Sequence, residues 1–582
     1  MQAVDQIIAA EVLAISVCDL FPGAQLVEGN GTQIGFFYDF AIDQPIDEKA
    51  IPLLEEKMRG VIKADLPVQI LDMMRENAAQ LLLHHHQSIK AELVVQDQNN
   101  IVQIVKINNF HDHIPTNEDE LAIGNSTSLA AAIKILSIKP VTRFIEHLGE
   151  LSLIRIEGIA AHDRQVLKKA FKRHEAAKQH HHMLTGQEMK LFTPCPEALN
   201  SGVFWHPKGV ILRDLLMQFW QDAAQERGFQ RISTPGIMKH SLQEHHLNKK
   251  QKTDFNTPSP TFEMEETEHI PAPNKTLLHA QYIASQVPYY QELPVRLAES
   301  SERFEAFKDI QIEGLYHTRL YTADYLTVFC AEDQIQRELI SSLHFFDKTF
   351  RILDFEYQWY LVASRGKASI GTAAEWKQGA AWLAEALSLC GFSCHHESRQ
   401  SANAGPRIEL RLRDPLDRQW VASWLEINWL YPKQFDLRYR DVNNKIQPLV
   451  MINGSLYGSV ERLIALLIEH HRGQLPLWLA PEQIRLLPMG QRHVEHAQAI
   501  STRLKNAGFR AGIDLKEETL GCKVHAAEKA RIPYIVILGD KEKKEKKLTV
   551  RSCRQNKTVN SSMQLEHLLE QLETELAGRP KI

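Results

Sequence analysis

Cysteine is scarce and scattered, with seven in 582 residues, at positions 18, 195, 330, 390, 394, 522 and 553. An odd, sparse set excludes a disulfide framework and points to a reducing compartment, so cytoplasm is the expected location. Long apolar runs are missing as well. No stretch reaches the roughly 18 charge-free apolar residues that a membrane-crossing helix needs, and no membrane partner is expected. The opening MQAVDQIIAAEVLAISVCDLF is apolar and helical in pattern, but it carries three acids and no basic leader, unlike a signal peptide. Charge of one sign is not in excess either. The formal net charge is −5, so any hold on nucleic acid has to come from local basic patches.

What is present is a mostly foldable chain, 44% apolar and 24% charged. Its length exceeds what one hydrophobic core can organise and implies three or four domains. Cys390 and Cys394 stand four apart beside His395 and His396, but Cys390 closes the apolar run AAWLAEALSLC, so a small buried hydrophobe is expected there rather than a metal pair. Histidines cluster at 84–86, 180–182 and 245–246. They flank helical stretches without an evident fourth ligand and read as solvated surface.

Along the chain, residues 1–160 mix helices with strand runs such as IVQIVKI at 101–107. A basic helix, QVLKKAFKRHEAAKQHH, follows as a linker over 161–185. Residues 186–478 form the largest unit. Its helix near 209–227 has apolar residues at helical spacing, and its strand runs at 408–413 and 435–439 alternate as one-face-buried antiparallel strands do. The polar, lysine-rich stretch 245–259 reads as a loop or mobile insertion. Residues 479–582 alternate strands and helices, which suggests a mixed or parallel sheet. They also carry the densest basic cluster, lysines 541, 543, 544, 546 and 547, set in a surface loop.

Several segments together carry a family resemblance: SGVFWHPKGVILR at 201–213, GFQRISTP at 228–235, FDLRYRD from Phe435, GSVER at 458–462 and LPLWLAPEQIRLLP from Leu475. The chain resembles threonyl-tRNA synthetase, a class II aminoacyl-tRNA synthetase, from about residue 5 to its end. GFFYDF at 35–40 resembles the family's editing-domain signature, so the chain is expected to start in that region, without the family's small first domain. The resemblance implies an α+β multidomain fold: an editing-like domain at 1–160, a class II catalytic domain with a six- or seven-stranded antiparallel sheet at 186–478, and an anticodon-binding-like domain at 479–582. It implies a homodimer through 228–235 and tRNA contact through 479–582.

The same resemblance implies catalytic positions. Arg462 takes the place of the family's phosphate-contacting arginine, a role its planar fork suits. For the family's Arg-x-Glu strand, an ungapped register gives Glu305 and Phe307, and a two-residue slip gives Arg303 and Glu305. Both registers keep the strand's alternation, and the second is favoured. Arg319 matches a downstream arginine, and Glu426 and Asn428 fall where the family has glutamine and aspartate. ATP with Mg2+ and a small amino-acid-like ligand are the implied small molecules.

Two family sites look altered. The three zinc-ligand positions fall on Thr276, Thr327 and Asn453, so no zinc is expected. The four editing positions fall on Glu11, Ile15, Asn109 and His113, of which one is still histidine. These losses favour a degenerate paralogue that keeps dimerisation and tRNA or ATP contact. Two enzymatic alternatives stand beside it: an aminoacyl-adenylate-forming enzyme with an altered substrate, and an active threonine–tRNA ligase with a zinc-free pocket. Convergence of Arg303 and Arg462 on one cleft would favour ATP binding.

Overall fold

Alternating strand runs and apolar helices assemble into two compact units, residues 1–178 with 415–418, and residues 179–414 with 419–582. The computed structural model describes residues 3–577 apart from 33, 45, 98, 115–124, 146–147, 196, 198, 200–201, 245–261, 265–266, 273–274, 306–312, 367–368, 398–403 and 555–556. The 245–259 stretch and its histidine pair lie outside the described residues.

The larger unit is organised by an eight-stranded sheet. Its strand order is Gln230–Arg231, Val295–Phe304, Leu320–Cys330, Val450–Ser455, Gln419–Asn428, Arg407–Arg413, Tyr357–Val362, Cys394–Glu397. The six central strands pair antiparallel. The two edge strands, of two and four residues, pair parallel, which takes the sheet beyond the six or seven antiparallel strands expected. Period-two alternation splits the faces. Leu326, Val328, Leu425, Ile427 and Ile452 enter the main core with helices Pro207–Glu226, Ile335–Ile352 and Val460–His470. On the other face Phe329 and Met451 pack with helix Lys275–Ala284.

One buried carboxylate fixes the turn that launches Val460–His470. Asp324 accepts from Trp220 Nε1 at 3.0 Å, Ser455 Oγ at 2.8 Å, and the backbone N–H groups of Leu456 at 2.7 Å and Tyr457 at 2.9 Å. Gly458 then turns with φ +65°, a left-handed conformation natural to glycine. Ser459 caps the helix by accepting from the Arg462 N–H at 3.2 Å.

The strand expected at 435–439 is not formed as such. Helix Leu430–Gln434 runs into this stretch, and Asp436 turns at φ +49°. Only Arg438–Arg440 extends, pairing with Ile446–Pro448 in a separate ribbon. Further on, Ile484–Pro488 pairs parallel with Ala511–Ile513 and Tyr534–Leu538, and Leu548–Arg554 and Lys557–Met563 add antiparallel. The last strand, KTVNSSM, has too few apolar residues to register as a strand in sequence. The lysine cluster is a helix at Asp540–Glu545 rather than a loop, ended by left-handed Lys546.

In the smaller unit a four-stranded sheet, Gln25–Gly31, Phe36–Ala41, Gly149–Ala161 and Ala132–Ile145, packs its apolar face on helices Ala3–Leu20 and Ile51–Lys63. A three-stranded sheet, Val68–Met74, Ile101–Ile107 and Phe110–Ile114, lies in the same unit. Among the described residues no helix is long and apolar enough to cross a membrane.

Candidate active site

Arg303 lies near the end of Val295–Phe304, opposite Tyr321. Its Nη2 donates to Glu305 Oε1 at 2.9 Å, and the Tyr321 hydroxyl donates to Glu305 Oε2 at 3.1 Å. The Glu305 N–H bonds the Arg319 carbonyl at 2.8 Å, which sets Arg319 across the hairpin. Arg462 enters from Val460–His470. Its Nε donates to the Tyr316 carbonyl at 2.9 Å, and its guanidinium lies 5.3 Å from the Trp420 ring centroid. Burial pushes the Tyr321 hydroxyl well above its usual pKa, while Arg303 and Arg462 pull it back and Glu305 adds to the rise. Burial also lowers Arg462, against Tyr321 and Glu305. One tyrosine hydroxyl therefore feels both arginines and the glutamate, and Arg303, Glu305 and Arg462 are brought together. The tyrosine was not singled out in sequence, because nothing in YTADYLTVFC marks its hydroxyl as the meeting point.

Next to this cluster lies a row across three strands. Thr327 faces Asn453 and Asn453 faces Glu426, as Cα partners. All three are buried, Thr327 at 0%, Asn453 at 2% and Glu426 at 8% exposure. Thr276 is buried on the helix Lys275–Ala284. From the same helix His279 bonds Thr327 Oγ1 through Nδ1 at 2.9 Å and Glu299 Oε2 through Nε2 at 3.0 Å. Glu299 also accepts from the Thr234 N–H at 2.9 Å, which joins Thr234–Pro235 to this row. Burial raises the Glu299 carboxyl, but His279, Thr234 and Lys275 outweigh it and hold it below its usual value.

The expectation that the chain lacks a zinc-type ligand set is overturned. Among the described residues, His181, His182 and Glu469 bring one ligand atom each within 4.8 Å of one another, and so do Asp354, His470 and His471. Imidazole with carboxylate is a donor chemistry that zinc takes. The reading of 180–182 as solvated surface fails with it, because His182 is fully buried. Its Nδ1 lies 2.7 Å from Glu469 Oε1, a partner 287 residues away. That separation is why sequence spacing could not reveal the pair. Glu469 Oε2 accepts from the Tyr316 hydroxyl at 2.8 Å, and His182 Nε2 accepts from the Leu315 N–H at 3.0 Å. The network therefore reaches the residue that holds Arg462.

In the smaller unit Ile15 and Asn109, two of the three altered editing positions, line a cavity of about 770 Å3 with Cys18, Lys57 and Phe110. Glu11 and His113 are buried. Burial, with Asp112 nearby, pushes the Glu11 carboxyl up, and burial and Lys90 push His113 down to about 4. Lys90 Nζ lies 3.0 Å from Asp112 Oδ1 in the interior.

At the C-terminal end, Lys541, Lys543, Lys544, Lys546 and Lys547 are all exposed. A basic stripe that includes Lys523 and Arg551 does not form. Lys523 is buried with its Nζ on the carbonyls of Pro488 at 3.2 Å and Asp514 at 3.3 Å, and Arg551 is paired with Glu528.

Comparison with known proteins agrees with this geometry. Residues 261–471 match the tRNA synthetase class II core domain of the G, H, P, S and T enzymes, and residues 483–575 match the anticodon binding domain. A threonine–tRNA ligase from Oleidesulfovibrio alaskensis is 31% identical over 552 residues, covering 93% of this chain and 83% of the relative. One from Thermotoga petrophila is 30% identical over 581 residues, covering 98% and 87%. The crystal structure of the RNA binding domain of threonyl-tRNA synthetase from Cryptosporidium parvum aligns with a TM-score of 0.63 and 27% identity, covering 68% of this chain and 98% of that one. Similarity over nearly the whole chain, with the arginine cluster assembled and a zinc-type ligand set present, also overturns the expectation of a degenerate paralogue. The fold is the expected α+β class II synthetase fold, with a sheet-rich N-terminal region and an anticodon-binding-like C-terminal region, and the chain belongs to the threonine–tRNA ligase family.

Proposed function

We propose that the protein is an active ATP-dependent ligase that joins threonine to tRNA. The observation that supports this most is the meeting of Arg303 and Arg462 around Tyr321 and Glu305. Glu305 answers part of the charge of the two guanidinium groups, and the phosphates of a nucleotide triphosphate supply further anionic oxygens that the pair can hold. In the first step the amino-acid carboxylate attacks the α-phosphorus, and the bond to the β-phosphate oxygen breaks. Arg303 and Arg462 hold the phosphate oxygens and take up the charge that develops. Arg319, on the opposite side of the hairpin, extends the cationic wall toward the leaving pyrophosphate. In the second step a terminal ribose hydroxyl of the tRNA attacks the activated carbonyl and AMP leaves.

Magnesium, when bound with ATP, neutralises phosphate charge. His181, His182 and Glu469 are the residues that would hold zinc, in exchange for the His182–Glu469 and Leu315–His182 hydrogen bonds. The proposed organisation is an editing-like domain at 1–160, a linker at 161–185, a catalytic domain at 186–478 and a tRNA-contacting domain at 479–582. The working form is a cytoplasmic homodimer joined through 228–235.

Threonine-dependent exchange of pyrophosphate into ATP tests the reading. Wild-type protein should catalyse it, and Arg303→Gln or Arg462→Gln should lower kcat/KM by roughly 100-fold. A wild type that exchanges with no amino acid would sink the ligase reading.

A further inference from the structure

Two helices of the larger unit end at one point. Ile335–Ile352 closes with the Leu353 N–H on the Thr349 carbonyl at 3.0 Å and the Phe355 N–H on the Phe350 carbonyl at 2.9 Å, around Asp354 at φ +62°. Val460–His470 closes with the His471 N–H on the Leu467 carbonyl at 3.0 Å and the Gly473 N–H on the Ile468 carbonyl at 2.8 Å. Side chains join the two ends. His470 Nε2 lies 2.7 Å from the Asp354 carbonyl, and His471 Nε2 lies 3.2 Å from the Leu353 carbonyl. The buried Phe355 ring packs on the His470 ring, with centroids 4.6 Å apart.

This junction concentrates negative potential. A helix C-terminus carries the equivalent of about half a negative charge, and here two converge beside the Asp354 carboxylate. The junction also supplies ligands. One ring nitrogen each from His470 and His471 and one carboxylate oxygen of Asp354 lie within 4.8 Å of one another. A carbonyl only accepts, so each Nε2 carries its ring's proton and the lone pair sits on Nδ1. Metal-bound imidazoles are normally oriented in this way, by their second N–H on a carbonyl or carboxylate. Two neutral imidazoles and a carboxylate suit a borderline first-row dication such as Zn2+ rather than Mg2+, which keeps to oxygen ligands. We propose that Asp354, His470 and His471 form a divalent-metal clasp between the two helix ends, with Zn2+ the preferred ion and water completing its coordination.

The clasp is separate from the set formed by His181, His182 and Glu469. Glu469 is buried and bonded to His182 and Tyr316, whereas Asp354 and His470 are exposed to solvent. Ligands about 2.1 Å from a tetrahedral ion lie about 3.4 Å from one another, so the exposed Asp354 side chain closes the set by turning inward. The ion crosslinks Ile335–Ile352 to Val460–His470. His470 stands about 12 Å along that second helix from Arg462. The clasp therefore steadies the helix that carries Arg462 without touching the reacting atoms.

Titration of the full-length, EDTA-treated protein with ZnCl2, followed by calorimetry and by thermal unfolding, tests this. Wild type should bind Zn2+ and unfold at a higher temperature with it, and Mg2+ should not substitute. Asp354→Asn removes the charge and keeps a side chain that tolerates the left-handed backbone. It should weaken this site at least tenfold and remove most of the zinc-dependent rise in Tm that the site contributes. His470→Gln, which keeps an N–H for the Asp354 carbonyl, should do the same and gives a second reading should Asp354→Asn fold poorly. His181→Gln should leave the site intact, which separates the clasp from the buried set. Zinc binding unchanged in either folded variant of the clasp, or abolished in folded His181→Gln, overturns the proposal. So does a wild type that binds no Zn2+, or that binds Mg2+ as tightly.

Discussion

Glu426 gives the sharpest consequence at the scale of one residue. Its carboxyl is raised from 4.5 to about 7 by burial, with Arg407 and Asn428 pulling the other way. Tyr431 feels it in turn. The folded protein therefore keeps a proton that the unfolded chain releases above about 4.5. Stability falls as pH rises through that window and levels off above 7. A gap of 2.5 units corresponds to about 3 kcal/mol. Glu426→Gln has no proton to lose, so its stability relative to wild type should improve by up to about that amount between pH 4.5 and pH 8. Denaturant unfolding at the two pH values measures it, and parallel curves would mean that Glu426 is charged in the folded protein at neutral pH. The family position on which Glu426 falls was legible in the sequence. Its shifted proton was not, because it depends on how deeply the fold buries the carboxyl, which sequence spacing does not signal. The same limit explains Arg303. Two registers were open in sequence, and the bonds of Arg303 and Tyr321 to Glu305 are contacts that spacing along the chain does not signal.

At the scale of elements, many helices and strands were readable from periodicity, whereas sheet order and what locks one element to another were not. His182–Glu188 meets Val460–His470 through His182 and Glu469, and through Tyr316 the pair steadies the loop that holds Arg462. Burial raises the Glu469 carboxyl, but His182 and Tyr316 outweigh it and leave it below its usual value. The stabilisation that Glu469 contributes is thus present above the unfolded value and is lost as pH falls through the lower folded one. Removing the histidine strands a buried carboxylate. His182→Ala should cost about 3 kcal/mol at pH 7, as broken buried pairs do. Because Tyr316 is loosened as well, the KM for ATP should rise along with the loss of stability. Thermal unfolding and steady-state exchange kinetics on the same preparation check both. A destabilised variant with unchanged KM would confine the network to holding the two helices together. The histidine run at 180–182 was visible in the sequence, but its burial was not, since the partner that draws His182 inward sits on a helix near the end of the catalytic region.

At the scale of the whole molecule, the proposed hold on tRNA has to come from local charge, because a net charge of −5 offers no general attraction. Five exposed lysines on and after Asp540–Glu545 supply a concentrated patch. The inward turn of Lys523 and the pairing of Arg551 with Glu528 take those two residues out of the free basic surface. Phosphate contacts release counterions, so affinity falls with salt in proportion to the number of contacts. Replacing Lys543, Lys544 and Lys547 together with glutamine should weaken tRNA binding at low salt. It should also flatten the plot of log affinity against log salt by roughly 0.7–0.9 for each lysine that touches a phosphate. Threonine-dependent pyrophosphate exchange should be unchanged, since it needs no tRNA and these lysines lie outside the arginine cluster. Filter binding across a salt series and the exchange assay, run on one variant, separate the two. An unaltered salt slope would assign the patch to solvent and move the tRNA contact elsewhere on residues 479–582.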